Sequence, residues 1–254
     1  CMFQYCESLK TLDVSKFNTS KVTNMNRVFL GCNSVTKLNV SNWDTSNVTD
    51  LHGIFNRCYL LTEIDLSKFN TNRVEDMACM FYKCRSLKSI NLRNFNTSKV
   101  TCMNNLFDSC IVIKSIDLSS FNTEKVDSMF GMFYDCRALE SLDLSKFNTS
   151  NVTDVNSMFN GCINLTKLNL TNFTTTKVKN VSYIFKNCHK LTSIISSAST
   201  PSKLKDDTFK SLPTLGKCKL TCPSASTAAY KKADGWKHLF PASTGIEEIE
   251  AASD

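Results

Sequence analysis

The sequence predicts a mixed α/β protein: a right-handed solenoid with a parallel sheet on one side, helices on the other, and a C-terminal cap. Three observations carry this expectation. First, "FNTSKVTNMNRVFLGC" at residues 17–32 returns six times, from "WDTSNVTDLHGIFNRC" to "FTTTKVKNVSYIFKNC", each copy 26 residues after the last. A fixed period of that size marks a stacked repeat array. Second, "LKTLDVSKF" alternates at Leu12 and Val14, and every copy keeps the pair: Leu38/Val40, Ile64/Leu66, Ile90/Leu92, Ile116/Leu118, Leu142/Leu144, Leu168/Leu170. Such alternation reads as a short strand with both side chains inward. Third, the period then changes. Val22, Met25, Val28 and Phe29 fall on one face of a helix.

The elements follow in order within each repeat. Thr19 or Ser20 stands where an N-cap is expected, and Asn72 with Glu75 spells a capping box. Gly31 and Gly161 fit the left-handed position after such a helix. One repeat buries too little apolar surface to offset the ordering of its backbone, so units must stack. The pattern weakens after Ile194. Inward positions continue at Phe209, Leu212, Leu215, Cys218 and Leu220, a ninth strand after a shortened turn of 24 residues. The stretch "SSASTPS" at 196–202 breaks register, "STAAYKKADGWKHLF" reads as a terminal helix, and "GIEEIE" pairs as a last strand. The organisation expected is a solenoid over 1–222 and a cap over 223–254.

Composition narrows the function. The chain has 254 residues, 42% of them hydrophobic and 21% charged, with a net charge of +7. Spread over this length, that charge argues against a nucleic-acid partner. No run of 18 apolar residues exists for a membrane span. The chain begins inside a repeat, with Met2, Phe3 and Cys6 matching Val28, Phe29 and Cys32, so further repeats are expected upstream. His52, His189 and His238 sit at unrelated positions of the repeat. With no Ser/His/Asp set, phosphate loop or metal-ligand cluster, the reading is of a non-catalytic protein without cofactor or metal.

The motif "LDLSKFNTSNVTDVNSMFNGC" (142–162) resembles the repeat of the BspA-like leucine-rich-repeat surface proteins, also catalogued as a mycoplasma repeat of unknown function. "CKLTCPSASTAAYKKADGWKHL" (218–239) is similar to their C-terminal cap. The resemblance implies a leucine-rich-repeat solenoid, secreted or on the cell surface. It also implies adhesion to matrix proteins, host cells or other microbes.

Eight cysteines fall on the period: Cys6, Cys32, Cys58, Cys84, Cys110, Cys136, Cys162 and Cys188. The reading preferred is a buried column of small apolar side chains, with a disulfide ladder or metal array as alternatives. Cys79 and Cys102, in adjacent repeats, are a further candidate bridge. Phe17, Trp43, Phe69, Phe95, Phe121, Phe147 and Phe173 form an aromatic column that is expected to fill the core.

Two surface columns are candidate binding sites. On the sheet face, Asp13, Asn39, Asp65, Asn91, Asp117, Asp143 and Asn169 alternate acid with amide. Lys16, Lys68 and Lys146 follow three residues after an aspartate, which reads as self-neutralisation. Asp117 beside Asp143 breaks the pattern, because position 120 is serine. Asp117, Asp143, Arg93 and Lys167 are therefore the candidates for a protein or glycan ligand on a host or microbial surface. The second column is Lys21, Asn47, Arg73, Lys99, Lys125, Asn151 and Lys177. Its cations Lys21, Arg73, Lys99, Lys125 and Lys177 oppose a helix N-terminus, and point alternatively to a polyanion. Partial pairing with Asp50, Asp76 and Asp154 is the bland reading. A passive spacer that projects other domains is the competing function.

Overall fold

Strands form at four of the seven inward pairs, and the strands run parallel. In the computed structural model, residues 2–174, 176–201, 204–205, 207–209, 212–240 and 248–249 are described. The strands are β1 (Lys37–Leu38), β2 (Glu63–Ile64), β3 (Ser141–Asp143), β4 (Lys167–Asn169), β5 (Ser193–Ile195), β6 (Lys219–Pro223) and β7 (Glu248–Ile249). They form a two-stranded sheet, β1-β2, and a five-stranded sheet, β3-β4-β5-β6-β7. Pairing follows the repeat: Leu38 faces Ile64, Leu142 faces Leu168, and Leu168 faces Ile194. The single continuous sheet expected from the sequence is thus interrupted, because residues 89–91 and 115–117 form no strand.

The second half of each repeat is not a helix, which corrects the sequence reading. Among the described residues the α-helix is α1 (Thr227–Lys232), in the C-terminal segment. The repeat instead makes a ribbon of overlapping turns. Alternate amides reach the next repeat: Leu51 to Asp76 O at 3.0 Å, Gly53 to Ala78 O at 2.9 Å, Phe55 to Met80 O at 3.1 Å and Arg57 to Tyr82 O at 2.7 Å. The amides between them turn back on their own repeat: Ile54 to Leu51 O, Asn56 to Gly53 O and Cys58 to Phe55 O. With the His52 amide donating to Asp50 Oδ1 at 2.8 Å, every backbone donor from Leu51 to Cys58 is satisfied. The geometry needs left-handed residues at two points per repeat, for example Gly53 (φ 58°) with Arg57 (φ 60°) and Gly131 (φ 57°) with Asp135 (φ 55°). A helix admits neither. The left-handed position at Gly31 and Gly161 is real, with φ of 75° and 82°, but it belongs to the ribbon and not to a helix end. The ribbons run unbroken from repeat to repeat, with parallel bridges from Asn24 to Asp50 and on through Asp76, Cys102, Ser128 and Asp154 to Asn180.

The residues read as helix caps make other contacts. Thr19 Oγ1 donates across to Asp44 O at 2.9 Å, and Asn72 Oδ1 accepts from Asn96 Nδ2 at 2.8 Å. The equivalent threonines form a buried ladder. Thr97 Oγ1 donates to Asn122 O at 2.7 Å and accepts the Asn122 amide at 2.8 Å. One hydroxyl thus holds both backbone groups of the next repeat.

Strand and ribbon side chains share one core. Its spine is a stack of phenylalanines from the ribbon: Phe29, Phe55, Phe81, Phe107, Phe133, Phe159 and Phe185. Neighbouring centroids are 5.6–5.9 Å apart. The column expected from the sequence, Trp43 through Phe173, is also buried, although Phe17 is 39% exposed. Trp43 satisfies its indole by donating to Val14 O at 3.1 Å.

The last turn is shortened in one place and restored in another. Phe209 stacks on Phe185 at 4.9 Å, 24 residues on, yet Ile194 pairs with Leu220, 26 residues on. The short 3-10 helix Leu215–Lys217 takes up the difference. The terminal helix read from the sequence is split into Ser224–Ser226, α1 and Trp236–Leu239. Gly235 (φ 75°) makes the break, and a Cβ there would lie 2.8 Å from Leu204 Cβ. Tyr230 and Trp236 are buried edge to face at 5.2 Å and close the end of the phenylalanine stack. Glu248–Ile249 pairs with β6 as the final strand. The remainder of 241–254, part of 196–202 and Cys1 lie outside the described residues.

Candidate functional site

The acid/amide column on the sheet face is built for the backbone before it is available to a ligand. Asp13, Asn39, Asp65, Asn91, Asp117, Asp143 and Asn169 each accept, through Oδ1, the amide of the residue two positions on. Aspartate and asparagine are interchangeable here because both carry that acceptor. Asn18, Asp44, Asn70, Asn96, Asn122 and Asn148 repeat the device. So do Asn24, Asp50, Asp76 and Asp154 at the start of the ribbon. Three such turns per repeat account for the asparagine-rich sequence.

The predicted sheet-face residues are brought together in part. Arg93 Nε donates to Asp117 Oδ2 at 2.8 Å across repeats. Asp117 is therefore neutralised, although no lysine follows it. Hydrogen bonds from Ser119 and then from Arg93 hold its carboxyl down to about 2. Asp143 shares with Asp117 a shallow pocket of about 300 Å3 that also takes in Ser119, Ser145 and Lys146. Lys167 lies beside Ser141 in the sheet, outside that pocket. A larger depression, missed by the sequence reading, covers about 860 Å3 of the face nearer the N-terminus. Lys10, Asp13, Lys37, Glu63 and Asp65 line it, and Lys37 meets Glu63 at 2.8 Å. Lys37 and Glu63 stand where other copies carry Thr11, Ser89, Ser115 and Ser141, a departure from the repeat that could have marked this region.

The cationic column stands on turns, so the helix-dipole argument for it lapses. Arg73 Nη1 donates to Asn47 Oδ1 at 3.1 Å, and Lys177 Nζ to Asn151 Oδ1 at 2.7 Å. Neither partner carries charge. Among the described residues Lys21, Lys99 and Lys125 make no ion pair, and Asp50, Asp76 and Asp154 pair with none of the column. Asp50 Oδ2 accepts from Asn24 and Asn26, and Asp76 faces His52 Nδ1 at 3.5 Å. Arg73, Lys99 and Lys125 thus place three unneutralised cations on successive repeats.

The periodic cysteines are free thiols. From Cys32 to Cys188 each ribbon thiol is buried and donates to a phenylalanine carbonyl of the preceding repeat, as Cys84 does to Phe55 O at 3.2 Å and Cys110 to Phe81 O at 3.2 Å, whereas Cys6 is half-buried. Burial drives the thiols of Cys84, Cys110, Cys136 and Cys162 far above their ordinary range. Cys79 and Cys102 are half-buried and unbridged. Among the described residues no group of three or more His, Cys, Asp or Glu is placed to hold a metal.

The ribbon carries one buried carboxyl that the sequence did not flag. Asp108 is 8% exposed and accepts from Ser109 Oγ at 2.6 Å. Burial first, opposed by the Ser109 hydrogen bond and Lys83, pushes its carboxyl up to about 6. No helix among the described residues is long and apolar enough to cross a membrane.

The family described as Mycoplasma protein of unknown function, DUF285, matches residues 1–116 and again 103–211. No curated protein matches the chain.

Proposed function

The chain belongs to that repeat family, and we propose that it is a non-catalytic binding module, secreted or held on a cell surface. It is a right-handed solenoid of leucine-rich-repeat type over 1–222, closed by a cap over 223–254. Its sheet face engages a protein or glycan on a host or microbial surface. BspA-like surface proteins, which its repeats resemble, are the pattern for this adhesive role. The observation that supports it most is the long exposed face whose polar side chains recur every repeat, hollowed by the depressions of about 860 Å3 and about 300 Å3. Repeat proteins commonly bind through such extended surfaces. Exposed aromatic anchors do not line either depression, which favours many weak contacts over one hot spot.

The direct test is an array of matrix proteins and glycans probed with the purified chain. A protein hit is expected to weaken when Asp117 and Asp143 are changed to Asn. That change keeps the Oδ1 acceptor of both turns and leaves the fold intact. Absence of any hit, with the chain folded, favours a passive spacer and contradicts the reading.

The unneutralised row Arg73, Lys99 and Lys125 supports a second reading, a polyanion lying along successive repeats. Substituting all three with Gln is then expected to abolish binding of that polymer, whose affinity falls steeply as salt rises. Unchanged affinity contradicts it.

A further inference from the structure

Charge does not follow the repeat. Residues 177–237 hold twelve lysines against three aspartates, whereas 1–176 hold eighteen basic side chains against sixteen acidic ones. Within the basic stretch, a cavity of about 400 Å3 opens between the ribbon of the seventh copy and the segment that leads to the cap. Ser182, Tyr183, Lys186, Lys205, Asp207 and Thr208 line it.

Tyr183 is 61% exposed. In the other six copies its position holds Arg27, Gly53, Cys79, Asn105, Gly131 and Ser157, so the ribbon does not require an aromatic ring there. The backbone is left-handed at φ 59°, where a bulky side chain is strained, and an exposed ring recovers little by burial. Lys186 Nζ lies 5.0 Å from the centre of the ring. Lys205 reaches back to donate to Ser182 Oγ at 2.9 Å. The Thr208 hydroxyl oxygen is buried and makes no hydrogen bond among the described residues.

We propose that this junction cavity binds an anionic saccharide unit. The Tyr183 ring is the platform for the C–H face of a sugar. Lys186 and Lys205 meet its carboxylate or sulfate. Ser182 and Asp207 exchange hydrogen bonds with its hydroxyls. A concave site with a few convergent polar groups and an aromatic wall suits a small ligand of this kind. A bare inorganic anion would need the lysines but not the ring. A neutral sugar would leave the lysines without a counter-charge. The site stands apart from the sheet face and from the Arg73–Lys125 row, and does not depend on either.

Calorimetric titration of the whole chain with sialyllactose, a sulfated heparin disaccharide, lactose and inorganic sulfate tests this. At least one of the two anionic saccharides is expected to saturate a single site and to weaken as salt rises. Tyr183→Ala and the double change Lys186→Gln with Lys205→Gln should each weaken it by about tenfold or more. Asp143→Asn, and Lys99→Gln with Lys125→Gln, should leave it unchanged. All variants are at exposed positions, and unaltered melting temperatures would verify their fold. The proposal is overturned if neither anionic saccharide binds, or if lactose binds as tightly. It is also overturned if sulfate binds equally well and Tyr183→Ala has no effect, or if only the Lys99/Lys125 variant loses binding.

Discussion

The two sides of each repeat are tied to their neighbours to different degrees. On the strand side, pairing is short and stops between β2 and β3. On the ribbon side, bridges continue without a break from Asn24 to Asn180, with the phenylalanine stack beneath them. Stability between repeats therefore lies mainly in the ribbon. The strand face carries less of that load and is freer to vary.

The largest effect is expected at the spine. Phe107 is fully buried and stacks on both Phe81 and Phe133. Phe107→Ala should cost about 3–5 kcal/mol, read by chemical denaturation. A loss no greater than that of Ser115→Ala, on the interrupted strand side, would break the comparison.

Next comes the threonine ladder. Thr97→Val keeps the shape but orphans the amide and the carbonyl of Asn122, and should cost about 1–3 kcal/mol. A neutral result would mean that water replaces the hydroxyl.

Asp108 gives a pH signature to the ribbon. Its carboxyl titrates at about 6 in the fold against an ordinary 3.8, so the folded state holds the proton more tightly. The favourable contribution is complete below about pH 4 and is lost as pH rises through 6. Asp108→Asn retains the acceptor for Ser109. It should stabilise the protein at pH 7.5 by about 1–2 kcal/mol, allowing for screening at a group not wholly buried, and change little at pH 4. Equal destabilisation at both values would show that the carboxylate is paired better than its burial implies.

The smallest effect is kinetic. The seven buried periodic thiols, Cys32 to Cys188, should react slowly with a thiol reagent in the native state, and the half-buried Cys6, Cys79 and Cys102 faster. Denaturant alone, without reductant, should release nearly all thirteen cysteines. Eight missing thiols would indicate an oxidised ladder.

Much of this was legible in the residues. The 26-residue period placed the strands, the buried cysteines and the last strand pair. The ribbon was not legible as a ribbon. Leu51, Ile54, Phe55 and Cys58 are spaced by threes and ones, which a helix and a chain of overlapping turns bury equally well. The distinguishing sign was Gly53 and Gly131, glycines inside a stretch where a helix would disfavour them. In the acid/amide column the sequence displayed the charge pattern but not the Oδ1 acceptor that every turn requires. The Arg93–Asp117 pair joins residues 24 apart, a diagonal that the 26-residue register does not suggest. Tyr183 went unnoticed because it departs from the pattern at a position where no two neighbouring copies agree.

The most direct test of the central claim is amide hydrogen exchange resolved by residue. The ribbon amides of Phe55, Phe81, Phe107 and Phe133, each donated to the next repeat, should be the slowest in the chain and similar to one another. Amides at 89–91 and 115–117, where no strand forms, should exchange much faster. Fast exchange along the ribbon with uniform protection along the strands would contradict the account.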